Sequence, residues 1–227
     1  MSEEIIQGSD AWFQQRCGKA TASRISDIVA KTKSGYSTSR ANYMAQLVVE
    51  RMTNQVAESY TNAAMEHGTT YDPIARANYE SKMNLLVTEV GAIDHPSIAM
   101  SAASPDGLIG DDGCLEIKCP NTATHIDTLL SQTVPYKYII QMHWQMACTD
   151  RHWCDFVSYD PRMPEGMQLF VSRVERNKEL VQTLEDEVKK FLAELDDKDM
   201  VLRMVEKPLI PKSNMAMVGI YYIKETA

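Results

Sequence analysis

Hydrophobic residues in the first third of the chain recur at helical spacing. The segments with this pattern lie at residues 11–17, 24–30, 43–52 and 62–82. Asp10 and Ser23 stand where the N-caps of the first two helices belong, and Gly18 stands just past the end of the first. Pro73 is a candidate point of interruption in the last helix. The polar, basic stretch 31–39 predicts an exposed loop.

The middle of the chain changes to short apolar or alternating runs. The runs at 85–90, 97–103 and 114–118 are separated by turn residues and predict three strands of a compact β-meander. The elements expected after them are a helix over 136–148, strands over 153–159 and 168–174, and an amphipathic helix over 178–195. This mixture of elements predicts an α/β protein.

The length of 227 residues predicts one globular domain with decorations. We place the domain at residues 1–206, with N-terminal helices at 10–82 and a sheet with further helices at 85–197. Residues 207–227 contain two prolines and an apolar patch at 217–223. That composition predicts a C-terminal tail that docks on a neighbouring subunit or lies on the subunit to which it belongs.

The composition argues against broad electrostatic attraction to polyanions. The formal net charge is −8 and the pI is near 5.2, which disfavours a polybasic arm or a uniformly cationic surface. A few basic side chains, or carboxylates that hold divalent cations, still reverse the field inside one cleft. The sequence contains no apolar run of the roughly 18 residues that a membrane-spanning helix needs. Because the sequence opens with acids rather than lysines, we expect a cytoplasmic protein without a signal peptide.

The five cysteines are an odd number in a chain too large to need disulfide stapling, which predicts free thiols. Cys148, His152 and Cys154 suggest a structural zinc site as the alternative. Their spacing matches no zinc ribbon or finger.

Two acids and a lysine in the middle of the chain point to metal-assisted chemistry. Glu116 and Lys118 alternate with apolar residues, so on a strand they share one face while Leu115 and Ile117 point to the core. Asp106 lies ten residues earlier, on the neighbouring strand of a hairpin, where its carboxylate meets that of Glu116. Carboxylates of this kind hold Mg²⁺, and a nearby lysine orients or deprotonates a water, which suits phosphodiester hydrolysis. The alternative is a common Asp-Gly turn and an exposed Glu-x-Lys face.

Pro105-Asp106 followed by Glu116-Ile117-Lys118 resembles the PD-(D/E)XK nuclease signature. The surroundings resemble the phage lambda exonuclease family in particular, from Ser9 to about Asp197. The segments that carry this resemblance are residues 10–12, 16–18, 21–23, 68–76, 104–108, 115–120 and 159–163. The resemblance implies a central mixed β-sheet flanked by helices in a single domain.

By position, the resemblance makes Asp106, Glu116 and the Ile117 carbonyl metal ligands and Lys118 the catalytic lysine. It assigns two Mg²⁺ ions to each active site, which Mn²⁺ can replace. Asp72 matches an acid, usually glutamate, that organises water at the metal; its alternative role is to N-cap a helix that starts at Pro73. Gln141 matches a glutamine that faces the site; a polar residue on a solvent face is the alternative. His67 and His143 receive no role.

Arg16, Ser23 and Ser104 match a pocket for the 5′-phosphate of DNA, although Ser23 is equally a helix cap. The family pattern has a second pocket arginine where this sequence reads Thr124 followed by His125, which leaves the strictness of the phosphate requirement open. Two further residues match DNA contacts. Lys33 would track the duplex and Met65 would part the end base pair, against the alternatives of a solvated lysine and a core methionine.

The resemblance implies an Mg²⁺-dependent 5′-to-3′ exonuclease that digests double-stranded DNA to mononucleotides and leaves a 3′ overhang for recombination by single-strand annealing. It also implies a ring-shaped homotrimer, a single-strand annealing protein as partner, and a phage or prophage protein that acts in the bacterial cytoplasm. A sequence-specific endonuclease on the same core and a non-catalytic module that binds DNA ends are the alternatives.

Overall fold

Two β-sheets and the helices packed on them make up the computed structural model, which describes residues 5–57 and 63–206. The helices are α1 (Asp10–Arg16), α2 (Ile25–Val29), α3 (Thr38–Thr53), α4 (Ala63–Met83), α5 (Thr122–Ser131), α6 (Tyr136–Thr149) and α7 (Lys178–Glu206). The strands are β1 (Ala20–Thr21), β2 (Lys31–Thr32), β3 (Gly35–Tyr36), β4 (Val87–Thr88), β5 (Ile93–Asp94), β6 (Ser101–Ala103), β7 (Gly107–Ile109), β8 (Gly113–Lys118), β9 (Trp153–Tyr159) and β10 (Leu169–Glu175). Short 3₁₀ helices span Ala22–Arg24 and Glu165–Met167.

The larger sheet is mixed, as the sequence predicts. Its order is β10-β9-β8-β7-β4, and β8 pairs with β9 in parallel while the other pairs are antiparallel. The parallel pair is joined by the crossover helices α5 and α6, because parallel neighbours need a long connection. The smaller sheet has the order β1-β6-β5, and β2 and β3 form a separate hairpin. The predicted class of mixed sheet with flanking helices is therefore confirmed.

Other elements cover both faces of strand β8. Strand β8 is therefore more completely buried than β7, the strand with which it forms a hairpin. On one face Leu115 and Ile117 pack with residues of α4, including Tyr79. On the other face Cys114 packs with Met142 and other residues of α6 and β9. A carboxylate on this second face is therefore held between the sheet and α6, away from bulk water.

A separate apolar cluster ties the N-terminal helices to the rest of the domain. Tyr43 and Leu47 of α3 pack with Trp144 of α6 and Phe191 of α7, and the rings of Tyr43 and Phe191 stack with centroids 5.7 Å apart. Aromatic stacking of this kind adds about 0.5–1.5 kcal/mol to area burial. Helices α2 and α3 are thus fixed against α6, which lies between β8 and β9 in the chain, and against α7, which follows β10.

Two predicted N-caps are wrong. Ser9, not Asp10, caps α1, because its Oγ accepts the Trp12 N–H at 3.2 Å and Asp10 lies in the first turn. Ser23 lies inside the 3₁₀ helix and caps neither that helix nor α2. Gly18 does follow the end of α1 with φ +70°, and a Cβ there would come within 2.8 Å of the Arg51 side chain.

Several predicted elements differ from the observed ones. The expected loop at 31–39 contains the β2–β3 hairpin, and α4 continues through Pro73 without a break. The β-meander is wrong: β6 joins the smaller sheet, and β7 takes the place beside β8. Helix α5 was not predicted, and α7 extends to Glu206 rather than ending at 195.

Helix α7 is the longest described helix, and none of the described helices is both long and apolar enough to cross a membrane. Each of the five cysteines lies within the described residues and is free, as predicted. The proposed tail at 207–227 lies outside the residues that the structure describes.

Asp160, directly after β9, has a buried carboxylate that pairs with the half-exposed side chain of Arg162. Its carboxylate accepts hydrogen bonds from the Arg162 main chain at 3.0 Å and from the guanidinium at 2.7 and 3.0 Å. Burial alone raises the pKa of Asp160, but the hydrogen bonds from Arg162 and Thr122, together with the charge of Arg162, outweigh it and lower that pKa to about 2. The pKa of an aspartate in the unfolded chain is about 3.9. Because the folded-state pKa is lower, the ionised carboxylate stabilises the folded protein above that pH, and this stabilisation is lost as the pH falls towards 2.

We therefore expect Asp160→Asn to lower the free energy of unfolding at pH 7 by about 1–3 kcal/mol, because a charge-assisted pair is lost inside the protein. The difference from the parent chain should shrink between about pH 4 and about pH 2.5. Urea denaturation at both ends of that range measures it. Asp150→Asn, at an exposed pair with Arg176, is the control and should change stability little. An equal deficit at both pH values would contradict this account.

Candidate active site

Strand β8 presents Glu116 and Lys118 to the face covered by α6, while Leu115 and Ile117 enter the opposite core. The predicted alternation is therefore confirmed. Glu116 is 0% exposed, which is unusual for a carboxylate and requires strong local donors. Lys118, two residues further along the strand, is half-buried and its ammonium contacts the Glu116 carboxylate directly.

Asp106 reaches the same place through the β7–β8 hairpin. Its main-chain N–H donates to the Leu115 carbonyl at 3.0 Å, which extends the ladder by one residue beyond β7. Its Oδ2 accepts the Ile117 N–H at 2.6 Å. The two predicted acids are thus brought together with Lys118, and Asp106 is anchored on the strand that carries its partner.

Two glutamines of α6 hold the buried Glu116 carboxylate. Gln141 donates from Nε2 to Oε1 at 2.6 Å, which places this residue in the site as predicted rather than on a solvent face. Gln145, one helical turn later and 0% exposed, donates from Nε2 to Oε2. Sequence reasoning missed Gln145. The signal was available, since a second amide four residues after Gln141 lies on the same helix face.

The charges of the site perturb one another strongly. Burial, reinforced by the neighbouring Glu116 carboxylate, raises the pKa of Asp106 well above its usual range. Burial alone lowers the pKa of Lys118, but the carboxylates of Glu116 and Asp106 outweigh it and raise that pKa above its ordinary value. The lysine is therefore a fixed ammonium among these acids, and the acid pair favours a cation in the cleft.

Asp72 lies within α4 rather than at its N-terminus, so the proposed alternative of a helix cap is wrong. Its Oδ1 accepts a hydrogen bond from Arg76 at 3.0 Å. Burial raises the pKa of Asp72, and the charges of Lys118 and Glu116 also act on it. Asp72 therefore belongs to the electrostatic neighbourhood of the site.

Arg16 and Ser104 meet on the wall of the same cleft. The Arg16 Nη1 donates to Ser104 Oγ at 3.3 Å, and the guanidinium lies 3.9 Å from the Trp12 ring centroid. Trp12, which the sequence did not single out for a contact, also donates from Nε1 to Ser104 Oγ at 3.1 Å. Burial lowers the pKa of Arg16. These contacts hold the guanidinium in one orientation.

A single cleft collects most of the predicted site. It is lined by Arg16, Ser23 and Ser104 together with Asp106, Glu116, Lys118 and Gln141, and also by Gln7, Trp12 and Ala22. Arginine, hydroxyl and carboxylate groups thus share one opening. This arrangement suits a phosphorylated ligand whose reacting bond lies at the acids.

The residues at the expected second pocket arginine lie elsewhere. Thr124 is exposed in the first turn of α5, and its N–H donates to the Asn121 side chain at 2.9 Å. His125 is buried and bonds Ser158 and the Met167 carbonyl at 2.7 and 2.9 Å. Both residues therefore serve α5 and its packing.

Neither of the two predicted DNA-contacting residues is among the described residues that line the cleft. Lys33 is exposed in the turn between β2 and β3. Met65 belongs to α4, and its side chain lies outside what the structure describes. Both remain predictions.

The zinc alternative is not supported. Cys148 and Cys154 are buried, whereas His152 is exposed and pairs with Asp112 at 3.1 Å. The described residues contain no cluster of three His, Cys, Asp or Glu side chains that could hold a metal. Asp106 and Glu116 are instead a carboxylate pair. Carboxylate oxygens are hard donors of the kind that Mg²⁺ accepts, and that ion keeps several waters in addition to its protein ligands.

Several known proteins are similar to this chain in sequence and in fold. The model of the YqaJ-like viral recombinase domain matches residues 11–152. The crystal structure of an alkaline exonuclease, LHK-Exo, from Laribacter hongkongensis is 49% identical, covers 89% of this chain and 100% of its own, and superposes with a TM-score of 0.83. LHK-Exo in complex with dAMP matches equally well.

More distant relatives extend the comparison. A phage-related exonuclease from Haemophilus somnus is 14% identical, covers 82% of this chain and 96% of its own, and shares the fold with a TM-score of 0.67. An uncharacterized protein of Acanthamoeba polyphaga mimivirus is 24% identical over 170 residues, which cover 68% of this chain and 29% of that protein. This chain thus spans less than a third of the viral relative. From its match over residues 11–152 and its likeness to LHK-Exo, the chain belongs to the YqaJ-like viral recombinase family, the lambda exonuclease-like group that its motifs resemble.

Proposed function

We propose that the protein is a divalent-metal-dependent exonuclease that digests double-stranded DNA from 5′ ends and leaves a 3′ overhang for recombination. The observation that carries this proposal is the single cleft in which Asp106, Glu116 and Lys118 meet Arg16 and Ser104. The two acids and the lysine would catalyse hydrolysis of the phosphodiester. The arginine and the serine would bind the terminal phosphate of the DNA.

The comparisons support the nuclease part of the proposal. LHK-Exo is an alkaline exonuclease by its description, and its complex with dAMP holds a mononucleotide, the product expected of end digestion. The family model describes a viral recombinase domain, which supports a role in recombination. The direction of digestion and the nature of the DNA end follow from our assignment of the phosphate pocket.

The metal is proposed to be Mg²⁺, with Mn²⁺ as a substitute and two ions in the working site. Asp106, Glu116 and the Ile117 carbonyl would hold it, and it would polarise the phosphodiester and lower the pKa of the attacking water. Burial of Glu116 between β8 and α6 excludes bulk water from one side of these ligands. Low local solvation strengthens their attraction for a cation.

Lys118 acts as a positively charged group beside the reacting phosphate. Its raised pKa means that it carries its proton in the metal-free cleft, where it neutralises part of the charge of Glu116 and Asp106. From the same position it can orient a water or stabilise the charge that develops on a phosphate oxygen. Asp72 adds a further carboxylate that acts on the same lysine.

Arg16 determines which end of the DNA strand the cleft accepts. The guanidinium stacked on Trp12 is the bidentate donor that a terminal phosphate requires, and Ser104 lies two residues before Asp106. The phosphate grip and the catalytic acid are therefore joined by one short segment. We propose that a 5′-phosphate bound by Arg16, Ser23 and Ser104 places the first internucleotide bond at the acids.

Three assembly features complete the proposal. A homotrimeric ring around the DNA would keep an acidic protein on its substrate, and a single-strand annealing protein would receive the 3′ overhang. The setting would be the cytoplasm of a bacterial host. These features are proposed from the resemblance to the lambda exonuclease family alone; the viral recombinase domain supports the recombination role.

Digestion of linear duplex labelled at its 5′ ends tests the activity. We expect loss of the 5′ label as mononucleotide with Mg²⁺ and none in EDTA, because the acids lack a cation without added metal. Covalently closed plasmid is the control substrate and should survive. Cutting of the closed circle would indicate an endonuclease, and release of the 3′ label first would reverse the proposed polarity.

Replacement of Glu116 tests the metal site. Glu116→Ala should lower turnover by at least about 10³-fold, because metal-ion catalysis contributes several kcal/mol to the barrier. Binding to DNA in Ca²⁺, measured by fluorescence anisotropy, should survive. The matched control is Glu175→Ala, at an exposed glutamate on β10. Normal turnover in Glu116→Ala would refute the assignment.

Replacement of Arg16 tests the phosphate pocket. Arg16→Ala should reduce the preference for 5′-phosphorylated over 5′-hydroxyl ends by about 10- to 100-fold, because a charge-assisted bidentate contact is lost. Initial rates on the two substrates give the preference. Arg24→Ala removes a neighbouring arginine that pairs with Asp27 and should leave the preference unchanged. An unchanged preference in Arg16→Ala would place the phosphate grip elsewhere.

A further inference from the structure

The Glu116 carboxylate is held differently at its two oxygens. The partners of Oε1, Gln141 and Lys118, both line the cleft. The partner of Oε2 is Gln145 of α6, which is 0% exposed and does not line the cleft. One oxygen therefore belongs to the cleft surface, and the other is fixed from inside the protein.

The amide of Gln145 has one orientation that satisfies both of its ends. Its Nε2 donates to Glu116, and its Oε1 accepts from the Cys154 thiol with a sulfur–oxygen distance of 3.8 Å. A carboxylate only accepts hydrogen bonds, so a flipped amide would set two acceptors against each other. The thiol lies close enough to donate to the amide oxygen, and the Asp155 main-chain carbonyl, at 4.0 Å, is its more distant acceptor. The shorter contact favours the amide orientation that serves Glu116.

Cys154 is suited to that task because it stays protonated. The residue is 0% exposed on β9, and burial raises the pKa of its thiol well above the ordinary range, with the negative charge of Glu116 adding to the effect. A thiol of this kind is a weak but constant S–H donor and is not a reactive nucleophile.

We propose that Gln145 is a positioning residue for Glu116 and that the Cys154 thiol sets the orientation of its amide. This inference rests on the proposed function, in which Glu116 is a metal ligand. With Oε2 tied to Gln145, Glu116 presents Oε1 to the cleft in one fixed direction. Outer-shell partners that orient a ligand commonly control metal affinity by about 10- to 100-fold.

The test compares Mn²⁺ binding and turnover in single variants of the full chain. Gln145→Met keeps the length of the side chain but removes the donor, and we expect Mn²⁺ affinity to fall by about 10-fold. Cys154→Ala removes the thiol, whereas Cys154→Ser restores a donor. The expected order of affinity is parent, then Cys154→Ser close to it, then Cys154→Ala, with Gln145→Met weakest. Electron paramagnetic resonance of free Mn²⁺ measures binding without DNA or turnover.

A matched control separates positioning from general packing. Cys114 is also 0% exposed, lies beside Cys154 on β8, and contacts Thr149 rather than the Gln145 side chain. Cys114→Ser should therefore lower thermal stability without changing Mn²⁺ affinity or the Mg²⁺ concentration that gives half-maximal turnover. If Gln145→Met does not fold, the comparison of Cys154→Ser with Cys154→Ala decides the question.

The outcomes distinguish this inference from the proposed function. If parent protein binds Mn²⁺ through Glu116, as judged by its loss in Glu116→Ala, equal affinity in Cys154→Ala and Cys154→Ser, or parent-like affinity in Gln145→Met, would overturn the positioning role alone. If Glu116→Ala binds Mn²⁺ as tightly as the parent, the proposed metal site fails and the inference fails with it.

Discussion

The burial of one carboxylate governs the architecture of this domain. Glu116 is completely enclosed between β8 and α6, although a charged carboxylate is costly to remove from water. The cost is offset by the two glutamine amides of α6 and by the ammonium of Lys118. Helix α6 must therefore lie across β8 in a fixed register, and the packing of its apolar residues on both sides maintains that register.

The remaining parts of the cleft are positioned relative to that strand. The β7–β8 hairpin brings in Asp106, which is tied to the Ile117 N–H. The segment before β7 carries Ser104, and Ser104 receives hydrogen bonds from Trp12 and Arg16 of α1. Helix α1 is thus joined to the acids through a single hydroxyl. Just after α1, the Gly18 main chain is hydrogen-bonded to Glu50 and Arg51 of α3, and α3 packs in turn on α7, so helices remote in sequence support the wall of the cleft.

Sequence patterns predicted those features that depend on local periodicity. Alternation along β8 identified Glu116 and Lys118, since a strand repeats every two residues regardless of its neighbours. Local rules failed where packing decides. Proline should break α4, yet the burial of Ala75 and Tyr79 against the sheet offsets a cost of about 3 kcal/mol. Helix α5 is rich in threonine, which has weak helix propensity, and so gave no clear pattern.

The residues of the site likewise fall into some that the sequence pattern identified and some that it did not. The acids and the lysine stand out in the sequence because charged residues interrupt apolar strands. Gln145 is marked in the sequence only by its spacing of four residues from Gln141, because α6 is buried on several faces and its apolar pattern does not separate a core side from a site side. The strands of the smaller sheet are two or three residues long, too short for a reliable period, and this is why β6 was assigned to the wrong sheet.

The choice of amides around Glu116 explains how an acidic protein builds a site for both a cation and a polyanion. Glutamine donates hydrogen bonds without adding charge, so Glu116 is desolvated and held in place while its negative charge remains available to a metal ion. An arginine at either position would have formed a stronger pair but would have neutralised that charge. Arg16 instead contacts Ser104 at the wall of the cleft, where the proposed function requires its charge to face a phosphate. The net charge of −8 is then compatible with a DNA substrate, because the electrostatic potential inside the cleft is set by the side chains that line it and not by the net charge of the protein.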